Sequence, residues 1–152
     1  MSAFVRVVQD IVLLIARLAI GVILVAHGWS RWQEQGIDAQ IDYLTPSGIW
    51  EPTLLAWGAT AFELIGGMLL IFGLGVPLLG LVMVVQNVLI IAWLRWNSGL
   101  YATDGGFEYN VALAVVGLFF LAFGSGRAGL DALFRRKAPD TEFRTIDDRS
   151  LA

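Results

Sequence analysis

Residues 64–94 read LIGGMLLIFGLGVPLLGLVMVVQNVLIIAWL, 31 consecutive positions without one charged side chain. A helix crosses the hydrocarbon of a bilayer in about 20 apolar residues. The run is interrupted at Gly73-Leu74-Gly75-Val76-Pro77. Glycine tolerates the backbone of a tight turn, and proline is accepted in the first turn of a helix because its missing N–H costs nothing there. The stretch therefore reads as the end of one membrane helix, an uncharged turn and the start of an antiparallel partner. Pro52 marks the beginning of the first of these two in the same way. Helices are predicted over about 53–74 and 76–96.

Working outward, 18 uncharged residues separate Glu108 from Arg127 and predict a helix over about 109–125, closed by Gly124-Ser125-Gly126. On the other side, an apolar segment over about 12–29 contains Arg17. That segment is too long for a signal peptide, and Val25-Ala26-His27-Gly28 is a poor cleavage site, so it reads as a retained helix. Helices are expected because an open sheet leaves backbone groups unsatisfied in lipid. The predicted fold is all-α, an integral membrane four-helix bundle over residues 1–137, followed by a charged, mobile cytoplasmic tail over 138–152.

Composition agrees with this reading. Of 152 residues, 57% are hydrophobic and 15% charged, where a soluble domain carries roughly a quarter charged residues; the mean hydropathy is +0.72. Eleven of the 23 charges fall between Arg127 and Ala152. No basic stripe exists for nucleic acid. Cysteine is absent and His27 is the sole histidine. These counts exclude disulfides, cysteine-ligated metal, iron–sulfur clusters, covalent haem and a bis-histidine haem within one chain, so no metal site is expected.

Basic residues set the expected topology. Arg6 precedes the first helix and Arg127, Arg135, Arg136 and Lys137 follow the last, which places both termini in the cytoplasm. The segment between the first two helices carries Glu34, Asp38, Asp42 and Glu51 against Arg31 and is predicted to face outward. Ile37, Ile41 and Leu44 recur there at helical spacing, the pattern of a short amphipathic helix ended by Thr45-Pro46-Ser47-Gly48.

A few polar residues remain in the apolar segments, where an ionisable group costs at least about 2.5 kcal/mol at a helix centre. Arg17, Glu63, Gln86 and Asn87 form a candidate intramembrane cluster, with Arg17 and Glu63 predicted to pair. Glycines at 21, 28, 66 and 67 favour close helix contact beside it. His27, Glu108 and Tyr109 are expected together at the outer boundary, with Glu108 a candidate partner for His27. Trp29, Trp32, Trp57, Trp93 and Trp96 gather near the same level as an anchoring belt.

Three motifs resemble the DoxX family. Leu14-Ile15-Ala16-Arg17-Leu18-Ala19-Ile20-Gly21, continuing to Ala26-His27-Gly28-Trp29, is similar to its first helix. Glu63-Leu64-Ile65-Gly66-Gly67, with Leu69 to Gly73, resembles its second. Gly105-Gly106-Phe107-Glu108-Tyr109-Asn110 and Gly124-Ser125-Gly126 through Leu130-Asp131 resemble its fourth helix and the turn after it. The resemblance covers about 12–133 and carries over Arg17, His27, Glu63 and Glu108 as polar positions. It implies a multi-pass protein of the bacterial inner membrane, linked to quinone-coupled or thiol-related redox chemistry. Relatives include membrane subunits of a thiosulfate:quinone oxidoreductase, and members of an actinobacterial membrane oxidoreductase complex with superoxide dismutase and a sulfurtransferase.

The leading functional expectation is thus a membrane subunit of an oxidoreductase assembly. It would contribute to a site for a diffusible menaquinone or ubiquinone, contacted by His27, Trp29, Trp57, Glu108 and Tyr109, with His27 and Glu108 as catalytic candidates. Expected partners are lipids and proteins of a membrane oxidoreductase or respiratory complex. A non-enzymatic scaffold or accessory subunit is the second reading, and a small-solute transporter the third.

Overall fold

The computed structural model of the chain describes residues 3–127 and 129–131. Among them the fold is all-α, with five helices: α1 (Phe4–Glu34), α2 (Ile37–Leu44), α3 (Pro52–Phe72), α4 (Val76–Ser98) and α5 (Glu108–Phe123). Helices α1, α3 and α4 are long and apolar enough to cross a membrane, while α5 is apolar and shorter. The tail over 138–152 and the basic residues Arg135, Arg136 and Lys137 lie outside the described residues.

The main departure from the sequence reading is α1. It begins near residue 4 rather than 12 and runs through Trp29 to Glu34, so Arg31 belongs to a helix rather than to a loop. Helix α2 has the bounds its apolar spacing suggested, and a 3-10 turn at Thr45–Ser47 with Gly48 in the left-handed region follows it.

The side-chain distribution is inverted relative to a protein in water. The buried apolar core is small: Leu24, Leu70, Val76, Leu79, Met83 and Phe120. Arg17, Thr60, Glu63, Asn87, Asn110 and Ser125 are buried with it, while Ile15, Val22, Ile65, Leu78, Leu118 and Phe119 face outward. So much outward apolar surface is untenable in water and fits a bundle whose solvent is lipid, where polar groups turn to the protein interior.

Small residues set the helix spacing. Between α1 and α3, a Cβ on Gly21 would lie 2.8 Å from the Gly67 carbonyl oxygen, and one on Gly28 would lie 3.0 Å from Leu64 N. Between α4 and α5, a Cβ on Gly80 would lie 2.5 Å from the Gly117 carbonyl oxygen. Backbone-to-backbone contact of this kind replaces the hydrophobic drive that lipid removes.

Helix α3 ends in a Schellman motif. Gly73 N donates to Leu70 O (3.1 Å) and Leu74 N to Leu69 O (2.9 Å), with Gly73 at φ 72°. The chain after α5 returns to clasp this turn: Leu130 N donates to Phe72 O and Asp131 N to Gly73 O. The Asp131 carboxylate accepts from Gly75 N (2.8 Å) and Val76 N (3.2 Å), so it caps the start of α4 from 55 residues away. Asp131→Ala is expected to cost about 1 kcal/mol, the usual value of a lost N-cap, and Asp131→Asn less. Thermal unfolding of the detergent-solubilised chain measures both.

Candidate functional site

Each of the three long helices contains one π-helical turn. These are Ser30–Glu34 in α1, Phe62–Gly66 in α3 and Ile91–Arg95 in α4. Such turns shift the i→i+4 ladder to i→i+5 and recur at functional sites. Each carries one charged residue of the same polar constellation: Arg31, Glu63 and Arg95.

Glu63 is buried and pairs with Arg31, Nη1 to Oε1 at 2.9 Å, with side chains 6% and 27% exposed. Its other oxygen, Oε2, is buried without a hydrogen-bond partner among the described residues, as is Thr60 Oγ1. Gly28 makes the approach possible, since a Cβ there would stand 3.0 Å from Glu63 Cβ. His27 stacks on Tyr109, the ring centroids 6.2 Å apart and the planes at 28°. Tyr109 lies within electrostatic reach of both Glu63 and Arg31. Arg95 Nη1 donates to the Gly105 carbonyl at 2.6 Å, which ties α4 to the loop before α5. An open cavity of about 350 Å³ lies at this end of the bundle, its wall including His27, Ser30, Arg31, Gln40, Tyr43 and Arg95.

Two expected pairings are replaced by others. Arg17 does not meet Glu63. It is fully buried at the opposite end of α3, its Nη1 in the space that a Cβ on Gly73 or Gly129 would take, with Asp131 as its electrostatic neighbour. None of its three side-chain nitrogens has a hydrogen-bond partner among the described residues. Antiparallel packing sets Gly28 beside Glu63 and Gly21 beside Gly67 and Ile71, so the level of Arg17 is that of Gly73, ten residues or about 15 Å from Glu63. Glu108 does not meet His27 either: it is exposed and its Oε1 accepts from Ala102 N at 2.9 Å.

The remaining candidates divide. Asn87 and Asn110 join α4 to α5 through a buried hydrogen bond, Asn110 Nδ2 to Asn87 Oδ1 at 3.0 Å, while Asn87 Nδ2 donates to Met83 O. Gln86, half-buried, takes no part in it. Trp29 packs edge-on against Trp32, and Trp57 is half-exposed. Sequence reasoning missed Arg31 and Arg95 as site residues. For Arg31 a signal existed: it lies four residues after His27, on the same helical face. The contact of Arg95 with Gly105 depends on the loop's path and had no sequence signal.

The DoxX family model matches residues 12–96, which take in most of α1, all of α2 and α3, nearly all of α4 and all three π turns. The protein named "Putative oxidoreductase CatD" of Bacillus subtilis (strain 168) is 29% identical over 114 residues, covering 72% of this chain and 81% of that protein. No solved structure matches the chain. The motifs of the first two helices fall inside the matched region, and more than half of the chain is covered. With its three long apolar helices, the chain is a multi-pass membrane protein that belongs to the DoxX family.

Proposed function

We propose that this chain is the membrane subunit of a quinone-linked oxidoreductase assembly in the bacterial plasma membrane, serving redox or thiol chemistry carried out with partner proteins. In this reading α5 is the fourth crossing and both termini are cytoplasmic, by the basic residues Arg6 and Arg127 and those after them, so the cavity opens outward. One observation carries the reading: His27, Tyr109, Arg31 and Glu63 converge at one end of a bundle that is otherwise apolar on its outside. The oxidoreductase name of the Bacillus subtilis relative supports it.

The residues present fit a quinone head group. The exposed His27–Tyr109 stack offers a flat aromatic wall and an imidazole donor, and Glu63 Oε2 is a buried carboxylate oxygen without a partner among the described residues. A bound quinone would supply a two-electron, two-proton couple, its electrons coming from a partner's cofactor because the sequence has neither cysteines nor a second histidine. His27 would donate to a carbonyl oxygen, Arg31 hold Glu63 in place, and Glu63 accept or release a proton near the cavity. Trp29 and Trp57 would border the site; Glu108, held by Ala102, is left out of it.

The test is binding of a menaquinone analogue to the chain in nanodiscs, read by tryptophan fluorescence. Saturable binding is expected, weakened about tenfold by His27→Ala, the value of one hydrogen bond of about 1.4 kcal/mol. No saturable binding by the wild-type chain would sink the proposal. The same chemistry-poor sequence also favours a scaffold subunit; gentle extraction from native membranes would then recover stable partners without quinone binding.

A further inference from the structure

The cavity beside His27 has a charge pattern that quinone binding does not use. Two guanidinium groups line it, Arg31 from α1 and Arg95 from α4, and among the described residues no carboxylate does. Two acids linked to its lining residues are already engaged. Glu63 is turned into the bundle against Arg31 Nη1, and Glu34 accepts from Ser30 Oγ at 2.6 Å. Each arginine commits one nitrogen: Arg31 Nη1 to Glu63, and Arg95 Nη1 to the Gly105 carbonyl at 2.6 Å with Gly106 O at 3.5 Å. The Nε and Nη2 donors of both are without hydrogen-bond partners among the described residues. An arginine anchored on one side presents its free N–H edge in fixed orientation, the arrangement suited to an oxyanion. Gln40 and Tyr43 of α2 form a polar third wall.

We infer that this cavity is an anion site for a phosphate group carrying a small polar substituent, held between Arg31 and Arg95. The volume of about 350 Å³ lies at the lower end of ligand pockets and exceeds one phosphate, leaving room for a glyceryl-sized group against Gln40 and Tyr43. The lining residues Ser30 and Arg31 are flanked in sequence by the exposed Trp29 and Trp32, and tryptophans gather at the membrane interface. The phosphate can therefore belong to a lipid headgroup or to a free solute. The site is separate in chemistry from the quinone reading, and either can fail alone.

The experiment uses the full chain in nanodiscs of neutral phosphatidylcholine. Inorganic phosphate and glycerol phosphate are titrated in one arm, read by tryptophan fluorescence. In the other, phosphatidylglycerol is mixed into the disc and lipid retention is read by native mass spectrometry. Saturable binding of a free phosphate supports a solute ligand, and retained phosphatidylglycerol supports a headgroup. Arg95→Gln is expected to weaken whichever binds by about tenfold or more, and Arg95→Lys, which keeps the charge and loses the fork, by less. Arg127→Gln, at the far end of the bundle, should change nothing. No binding in either arm by the wild-type chain, or binding indifferent to both Arg95 variants, overturns the inference.

Discussion

Arg31→Gln is expected to destabilise the chain by about 3 kcal/mol, because it leaves the Glu63 carboxylate buried with no counter-charge. The figure is at the low end for breaking a buried pair, since the Arg31 side chain is 27% exposed and Glu63 only 6%. The reverse change is milder. Glu63→Gln leaves an arginine that can turn toward the open cavity and be solvated, at a cost of about 1 kcal/mol. The double variant Arg31→Gln/Glu63→Gln should recover most of the loss, because no buried charge remains. Thermal unfolding of all four proteins in one detergent gives the coupling directly. Equal losses for the two single variants, with simple addition in the double, would show that the pair does not form.

Gly73→Ala is expected to cost a comparable amount, about 3 kcal/mol, from two sources. Gly73 has φ 72°, where an L side chain costs about 1–2 kcal/mol. An added Cβ would also overlap Arg17 Nη1 and stand 2.7 Å from Gly129 Cα, an overpacking term of about 1–3 kcal/mol. Gly75 separates the two. It has φ 63° with nothing within 4 Å of a Cβ, so Gly75→Ala should show the backbone cost alone, about 1 kcal/mol. The unfolding temperatures of the two variants read against wild type decide the matter. Equal shifts would mean that Arg17 does not pack against the turn.

Much of the architecture is legible in the sequence because its signals are local. The uncharged run over 64–94, Pro52, Pro77 and the paired glycines of the turn each act within a few residues, and the helices follow from them. The true neighbours of Arg17 and Glu63 were not recoverable this way, because they depend on the axial register of two helices. Taking the first helix as 12–29 centres it near residue 20, while α1 extends to Glu34. The contacts of Gly21 and Gly28 show that α1 is displaced against α3 by about seven residues, roughly 10 Å. That displacement brings Arg31 to Glu63 and carries Arg17 to Gly73. The clasp made by Asp131 was equally hidden, since a cap supplied from 55 residues away has no local pattern.

The three π turns also bear on how the site tolerates change in chain length. Each accommodates one residue more than an α turn, so each is a point where one amino acid has in effect been added to a helix. Deleting one residue there would restore a plain α turn and leave the helix on either side on its original face, because the π turn already absorbs the extra residue. The same deletion in a plain α turn would rotate everything beyond it by about 100° relative to everything before it. The packing of the bundle should therefore accept a single-residue deletion best within 30–34, 62–66 and 91–95, at the expense of the side chains that each turn positions. It should reject one in the plain α turns around Gly21, Gly80 and Gly117, where backbones meet.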